Sequence, residues 1–312
     1  MNIVVTGAAG YIGGQIALQL RDAGYSVTGI DSRPLPAHLE GVMNFLQADF
    51  ASDESFRRLL DLRPEAIVHC AGTSLVGPSI KNPSDYYNNN VVKTIQLLDI
   101  VISAMPRTRI IFSSSAAVYG VPFMNPCHEV DPKEPISPYG ESKLMVEQVL
   151  ESYHRAYGLD YVAFRYFNAC GADSQGRHGQ EPGATHIIAR VLESIRDNQE
   201  FVLNGIDYPT PDGTCIRDYV HVEDIARAHV MALSSAVETG VYNLASSTGT
   251  SNREVIDIAQ QVTGSAVIIR AGEKRAGDPP MLTASADKFN KLGEWQRYKL
   301  SDMIQHAWNW YV

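Results

Sequence analysis

The chain has little of what would mark a membrane, secreted or nucleic-acid-binding protein. None of its 312 residues falls in a stretch approaching the roughly 20 apolar residues that a spanning helix needs, so no membrane partner is expected. The opening Met1-Asn2-Ile3-Val4-Val5-Thr6-Gly7 has neither the charged start nor the long apolar stretch of a signal peptide. Only four cysteines occur, Cys70, Cys127, Cys170 and Cys215, with no Cys-x-x-Cys pair and no histidine at metal-ligand spacing. That usage excludes a disulfide framework or a metal centre as the expectation and fits reduced thiols in the cytoplasm. Basic residues are in deficit, 26 Lys and Arg against 35 Asp and Glu, for a net charge of -9. A nucleic-acid surface draws on the opposite balance, whereas one basic pocket for a small phosphate ligand stays compatible with it. No repeat and no low-complexity tract is present.

What is there is ordinary globular composition, 45% hydrophobic and 20% charged. Short apolar runs alternate with longer amphipathic ones. Ile3–Thr6, Ser26–Asp31, Ala66–Cys70, Arg109–Ser113 and Asp160–Phe167 read as strands. Ile12–Ala23, Asp53–Leu62, Asn89–Ala104 and Tyr139–Ala156 carry helical spacing. Such alternation predicts an α/β fold with a doubly wound parallel sheet. The texture changes near residues 167–170: Gly171–Gly183 reads as a loop, and Tyr208-Pro209-Thr210-Pro211-Asp212-Gly213 is turn chemistry. Two domains are therefore expected, 1–168 and 169–312, with residues 220–245 able to pack back on the first.

Gly7-Ala8-Ala9-Gly10-Tyr11-Ile12-Gly13 lies between the first strand and the first helix. Glycines there permit a tight turn and bring backbone N–H groups to a pyrophosphate at a helix N-terminus. Asp31 ends the second strand, 18 residues beyond Gly13, where a carboxylate accepts hydrogen bonds from an adenosine ribose and repels a 2′-phosphate. Arg33 softens that repulsion, so NAD is favoured over NADP without being fixed. Asp49, followed by Phe50, is a weaker candidate for the adenine end.

Tyr139-Gly140-Glu141-Ser142-Lys143 follows Ser137-Pro138, a helix-start pairing, and positions 139 and 143 share one helical face. An ammonium beside a phenol lowers its pKa, so the expectation is a tyrosine able to take a sugar hydroxyl proton near neutral pH. Ser113-Ser114-Ser115 ends a strand, where open α/β sheets present ligands. Cofactor loop, base and hydroxyl thus have consistent chemistry.

At these residues the chain resembles the extended short-chain dehydrogenase/reductase superfamily and, within it, the UDP-glucose 4-epimerases. The matching segments are the Thr6–Gly13 loop, His69-Cys70-Ala71-Gly72, Pro83 to Val91, Ser113 to Gly120, Tyr139 to Glu147, Arg165-Tyr166-Phe167-Asn168, Asp207 to Asp224 and Arg275-Ala276-Gly277-Asp278. The resemblance implies a Rossmann-type NAD-binding domain, a smaller C-terminal α/β domain for the UDP-sugar, and a homodimer formed through Asn89–Ala104 and Tyr139–Ala156. It implies transient oxidation at C4 of the sugar, rotation of the 4-keto sugar about its pyrophosphate, and reduction from the other face. Tyr139 is then the base, Lys143 tunes it and holds the nicotinamide ribose, and Ser115 contacts the 4-oxygen. Cofactor contacts fall on Gly7, Gly10, Tyr11, Ile12, Gly13, Asp31, Asp49, Phe50, Ala71, Asn90, Ser113, Tyr139, Lys143 and Tyr166. Substrate contacts fall on Ser115, Tyr139, Asn168, His186, Arg217, Arg275, Asp278 and Leu282.

Three departures qualify the match. Thr73-Ser74 stands where the family often has a lysine on the cofactor, which weakens the expectation of permanent retention. Ala117 replaces a usual threonine. Leu282 stands where a tyrosine restricts the family to glucose and galactose, so UDP-N-acetylglucosamine, or both sugars, is the alternative substrate. Ala116 and Ala117 lack the acid/base pair of a 4,6-dehydratase. A UDP-uronate or UDP-pentose epimerase stays open, and an NAD(H)-sensing regulator is the remote reading, since it would not need both Tyr139 and Lys143.

Overall fold

The computed structural model describes residues 1–274 and 278–312. The first half is a run of strands and helices: β1 Asn2–Thr6, α1 Tyr11–Asp22, β2 Ser26–Asp31, β3 Asn44–Gln47, α2 Asp53–Leu62, β4 Ala66–His69, α3 Val76–Lys81, α4 Pro83–Tyr86, α5 Lys93–Ala104, β5 Arg109–Ser115, α6 Pro138–Tyr157 and β6 Tyr161–Tyr166. Then come β7 Asn168–Cys170, α7 Ile187–Arg196, β8 Phe201–Asn204, β9 Ile216–His221, α8 Val222–Met231, β10 Gly240–Leu244, β11 Gly249–Ser251, α9 Asn252–Thr263, β12 Ile269–Gly272, β13 Met281–Leu282, α10 Asp287–Asn290 and α11 Leu300–Tyr311.

The large sheet has the order β3-β2-β1-β4-β5-β6-β10. Its strands from β3 through β5 pair in parallel. The order reverses between β1 and β4, and such a switch point leaves a crevice outside the strand ends where ligands bind. Val4, Ile67, Ile110, Phe112 and Ala163 from the strands pack on Leu97, Leu98, Val101, Val146 and Leu150 from α5 and α6 in one buried cluster. Near-continuous apolar strands such as Ala66–His69, buried throughout, are what a sheet covered on both faces requires.

Local chemistry explains the long helix α6. The Ser137 hydroxyl accepts the Gly140 N–H at 3.2 Å, Pro138 opens the first turn, and Gly158 closes the helix in left-handed conformation with φ +73°. The helix expected over Asn89–Ala104 differs: a π-helical turn occupies Tyr87–Val92 and α5 proper begins at Lys93. A π turn inserts one residue into the helical repeat and is a frequent mark of a functional position. β5 also runs two residues beyond its expected end, to Ser115.

The chain divides into two compact units. The first holds residues 1–120, 132–165 and 226–242; the second holds 121–131, 166–225 and 243–312. Residues 121–131, expected in the first domain, belong to the second unit. The reason is backbone pairing: the Cys127 N–H donates to the Thr283 carbonyl at 2.8 Å and the Cys127 carbonyl accepts from Ser285 at 2.9 Å. In the second unit β9 is flanked by β7, β11 and β13, and β8 pairs with β12. Its core joins Val191, Leu192, Phe201, Val255, Ile256 and Ile304.

Candidate active site

The chain leaves β1 through Gly7, whose φ of +72° favours glycine. A Cβ on Gly7 would stand 2.7 Å from the Ala71 nitrogen, and one on Gly13 would stand 2.2 Å from the Gly7 carbonyl oxygen. The turn is therefore too tight for any side chain at either place. α1 then opens at Gly10 without a side-chain cap, with Tyr11 and Ile12 half-buried in its first turn. An uncapped helix start behind a glycine turn fits a dinucleotide pyrophosphate, which backbone N–H groups and the helix dipole would hold. Asp31, expected at the adenosine ribose and 7% exposed, accepts from the Ala9 N–H at 3.0 Å and from the Arg33 N–H at 2.9 Å, so here it braces the glycine loop.

Behind the loop, His69 is buried between the Thr6 hydroxyl at 2.7 Å and the Thr94 hydroxyl at 2.9 Å. Burial, aided by the Lys143 charge, pushes its pKa down to about 3. Phe50 is buried edge-on against this imidazole, with ring centroids 4.8 Å apart. Asp49 is held by Lys93 at 2.5 Å. Burial opposes ionisation of Asp49, but Lys93 and the Ala51 N–H outweigh it and hold the carboxyl below its ordinary value.

The segment after β4 is clamped from the π turn. Asn90, 3% exposed, accepts from the Thr73 N–H at 2.7 Å and donates to the Thr73 carbonyl at 3.0 Å and to the Ser142 hydroxyl at 2.9 Å. Its amide is thus committed to the loop and to α6. The Ala71 N–H reaches the Thr6 hydroxyl at 3.3 Å. The Tyr86 hydroxyl lies 2.8 Å from the Ser74 carbonyl and 2.7 Å from that of Leu75, and its ring stands edge-on to Tyr139 at 6.3 Å. Tyr86 was not foreseen as part of this site.

Tyr139 and Lys143 meet the end of β5 from α6. The Tyr139 phenol, half-buried, is hydrogen-bonded to the Ser115 hydroxyl, which also accepts the Ala117 N–H at 3.1 Å. The Lys143 ammonium, 5% exposed, donates to the Ser113 carbonyl at 2.8 Å and lies 5.9 Å from the Tyr139 ring centroid. The Ser113 hydroxyl reaches the Cys70 sulfur at 3.2 Å. The expectation that Lys143 lowers the phenol's pKa is corrected here. Burial raises the Tyr139 pKa above its ordinary value, and the opposing influence is the Ser115 hydrogen bond. Lys143 is itself pushed down to about 8 by burial, against the negative influence of Cys70 and Glu147. Glu147 is one further turn along α6, an i+4 spacing that would have singled it out in the sequence.

The second unit gathers another group. Arg217 on β9 meets the Asp278 carboxylate at 2.5 Å, and Asn168 on β7 donates to the Asp218 carbonyl at 2.8 Å. Leu282 on β13 pairs with Arg217 in parallel register, so the two side chains share one face of the sheet. Trp295 is buried against Phe289. Tyr166 is buried at the end of β6. His186 opens α7 and lines a small cavity with Cys170, Gly171, Gln180 and Trp310, apart from the Arg217 group. Arg275 lies outside the described residues.

The first unit can therefore hold a dinucleotide and move a proton at one hydroxyl, while the second offers a guanidinium fork suited to phosphate. Comparison with known proteins agrees with that chemistry. The model of the NAD dependent epimerase/dehydratase family matches residues 3–245. A UDP-glucose 4-epimerase of Halalkalibacterium halodurans is 39% identical, over 100% of this chain and 96% of the relative. The crystal structure of the Brucella ovis UDP-glucose 4-epimerase in complex with NAD superposes with a TM-score of 0.93 at 38% identity, covering 99% of this chain and 97% of that one. The UDP-Glc/GlcNAc 4-epimerase of Campylobacter jejuni superposes at 0.84 with 32% identity, covering 99% of this chain and 98% of that one. The glycine turn, the Tyr139–Ser115 bond and this end-to-end similarity lead to one conclusion: the chain belongs to the NAD dependent epimerase/dehydratase family, in its UDP-glucose 4-epimerase branch.

Proposed function

We propose that the chain interconverts UDP-glucose and UDP-galactose, with Tyr139 as the proton-transfer residue. The observation that carries this reading is the paired contact at the end of β5, the Tyr139 phenol on the Ser115 hydroxyl and the Lys143 ammonium on the Ser113 carbonyl. Bound NAD supplies reversible two-electron oxidation at C4. Tyr139 takes the C4 hydroxyl proton and returns it, and Ser115 donates to the same oxygen and steadies it as a carbonyl. A neighbouring positive charge is what brings a phenol with a raised pKa back toward neutrality. An oxidised nicotinamide would supply it. Gly7, Gly10, Tyr11, Ile12, Gly13, Asp31 and Ala71 are the residues we assign to the dinucleotide. Arg217, Asp278 and Asn168, with Arg275, are assigned to the nucleotide and diphosphate of the UDP-sugar.

NMR of products from UDP-glucose and UDP-galactose tests the reading. Tyr139→Phe should keep NAD binding while turnover falls at least roughly a hundredfold, the low end for acid–base catalysis. An unchanged rate removes Tyr139 from the chemistry.

A second substrate, UDP-N-acetylglucosamine, is favoured by one observation. Leu282 shares a sheet face with Arg217 and places an aliphatic side chain, not a phenol ring, beside the guanidinium assigned to the diphosphate.

The same reading includes a homodimer through residues 89–104 and 139–156, supported by the exposed apolar Val92 in the π-helical turn and Met145 on α6. Sedimentation as a monomer would refute it. A cytoplasmic location is supported by the four free thiols.

A further inference from the structure

Tyr139, Lys143 and Glu147 lie one above another on α6. Each engages one of three successive residues at the end of β5: Tyr139 the Ser115 hydroxyl, Lys143 the Ser113 carbonyl, and Glu147 the Ser114 hydroxyl at 2.5 Å. The third contact touches neither cofactor loop nor sugar-facing hydroxyl. It nevertheless has the most elaborate support. Arg165 on β6 forks onto the Glu147 carboxylate, with Nε to Oε1 at 3.0 Å and Nη2 to Oε2 at 2.6 Å. Its remaining arm donates to the Tyr119 hydroxyl at 2.8 Å, in the short turn Ala116–Tyr119 that follows Ser115. Glu147 is 5% exposed and Arg165 is 2% exposed.

A buried ion pair gains little net stability, because desolvating both charges offsets their attraction. What a bidentate pair does supply is fixed geometry. We propose that Glu147 is a positioning residue for the reaction. Through Ser114 and Arg165 it sets the register of α6 against β5 and β6, and with it the Tyr139–Ser115 and Lys143–Ser113 contacts. The inference rests on Tyr139 being the base. A slip of α6 by a fraction of a turn would draw the phenol off Ser115 and the ammonium off Ser113 together.

The charges around this column are few. Cys70 and His69 from the end of β4, with Tyr139 and Glu147 from α6, influence or adjoin Lys143. Arg165 and Tyr161 from β6 feel Glu147, and Tyr119 meets Arg165. Glu147 thus also supports the protonated form of Lys143 from one turn away.

Ser114→Ala tests the proposal while leaving the ion pair in place, and Glu147→Gln removes its charge. Both are assayed as NAD-loaded protein for kcat and KM on UDP-glucose. The Tyr139 phenol is titrated by 13C NMR of ring-labelled tyrosine, its resonance assigned with Tyr139→Phe. We expect kcat to fall on the order of tenfold in Ser114→Ala and about a hundredfold in Glu147→Gln, the scale of a misplacement of about 1 Å. KM should hold within about twofold, as for an interaction made in the transition state. In Ser114→Ala the phenol should titrate at higher pH, having lost the steady Ser115 bond. If both variants melt earlier but keep the wild-type kcat and Tyr139 titration, the role is structural and the proposal falls. If the wild type does not turn over UDP-glucose, the functional reading falls, and the titration alone decides whether Glu147 positions Tyr139.

Discussion

The Lys143 ammonium is tied to the Ser113 carbonyl at 2.8 Å, not to the phenol of Tyr139, its partner in sequence spacing. The bond anchors α6 to β5 and holds a buried cation that we propose binds the nicotinamide ribose. Its proton is loosely held, because burial brings Lys143 down to about 8. NAD affinity should therefore decline up to roughly tenfold from pH 7 to pH 9 as that cation is lost. Calorimetric NAD titration at the two pH values checks this; Lys143→Met should bind weakly at both and show no slope. Linkage adds a second readout. An unfolded lysine keeps its proton up to its ordinary 10.5, so between about pH 8 and 10 the unfolded chain binds more protons. The cofactor-free wild type should gain stability over that window relative to Lys143→Met.

His69 gives the acid counterpart. Its pKa is depressed from 6.5 to about 3, so the folded protein keeps it neutral while the unfolded chain protonates it. Its stabilising contribution is complete above pH 6.5 and is lost progressively as pH falls toward 3. The drop in melting temperature between pH 7 and pH 5 should be smaller in His69→Gln than in the wild type. Equal drops would show that this imidazole does not govern the acid limb.

Gly13→Ala places a methyl 2.2 Å from the Gly7 carbonyl oxygen and must push α1 away from the loop. We expect a loss of about 1–3 kcal/mol in stability, the usual cost of overpacking, together with weakened NAD binding. Gly77→Ala on α3, where a Cβ meets open space, is the control and should bind NAD as the wild type does. Matching behaviour of the two variants in unfolding and NAD titration would contradict the steric account of the loop.

Leu282→Tyr puts a ring on the sheet face that also carries Arg217. It should cut UDP-N-acetylglucosamine turnover by about tenfold or more, the low end of steric discrimination in a pocket. UDP-glucose turnover should change much less. An equal effect on both substrates would remove Leu282 from substrate selection.

Much of the first unit was legible because its signals are local. Ser137, Pro138 and Gly158 bracket α6 through bonds spanning a few residues, and β2 and α2 fall where their patterns place them. The second unit was less legible. Its strands are short, two to six residues, and pair in mixed directions across long separations, as Asn168 with Tyr219 and Leu282 with Arg217. No periodicity in the sequence records such partners. That residues 121–131 fall in the second unit was not legible for the same reason, since their pairing with Thr283 and Ser285 is non-local.

At the site the division is similar. The sequence by itself determined the glycine turn, the shared face of Tyr139 and Lys143, and the serines that end β5, because each depends on the geometry of neighbouring residues. Only the tertiary structure decided what those groups touch. It turned Lys143 onto Ser113, raised the Tyr139 pKa, gave Asp49 to Lys93, and revealed Glu147 as the clamp between α6, Ser114 and Arg165. The physical reason is that pKa values and ion pairs follow burial and through-space distance, which are set when strands far apart in the chain come together.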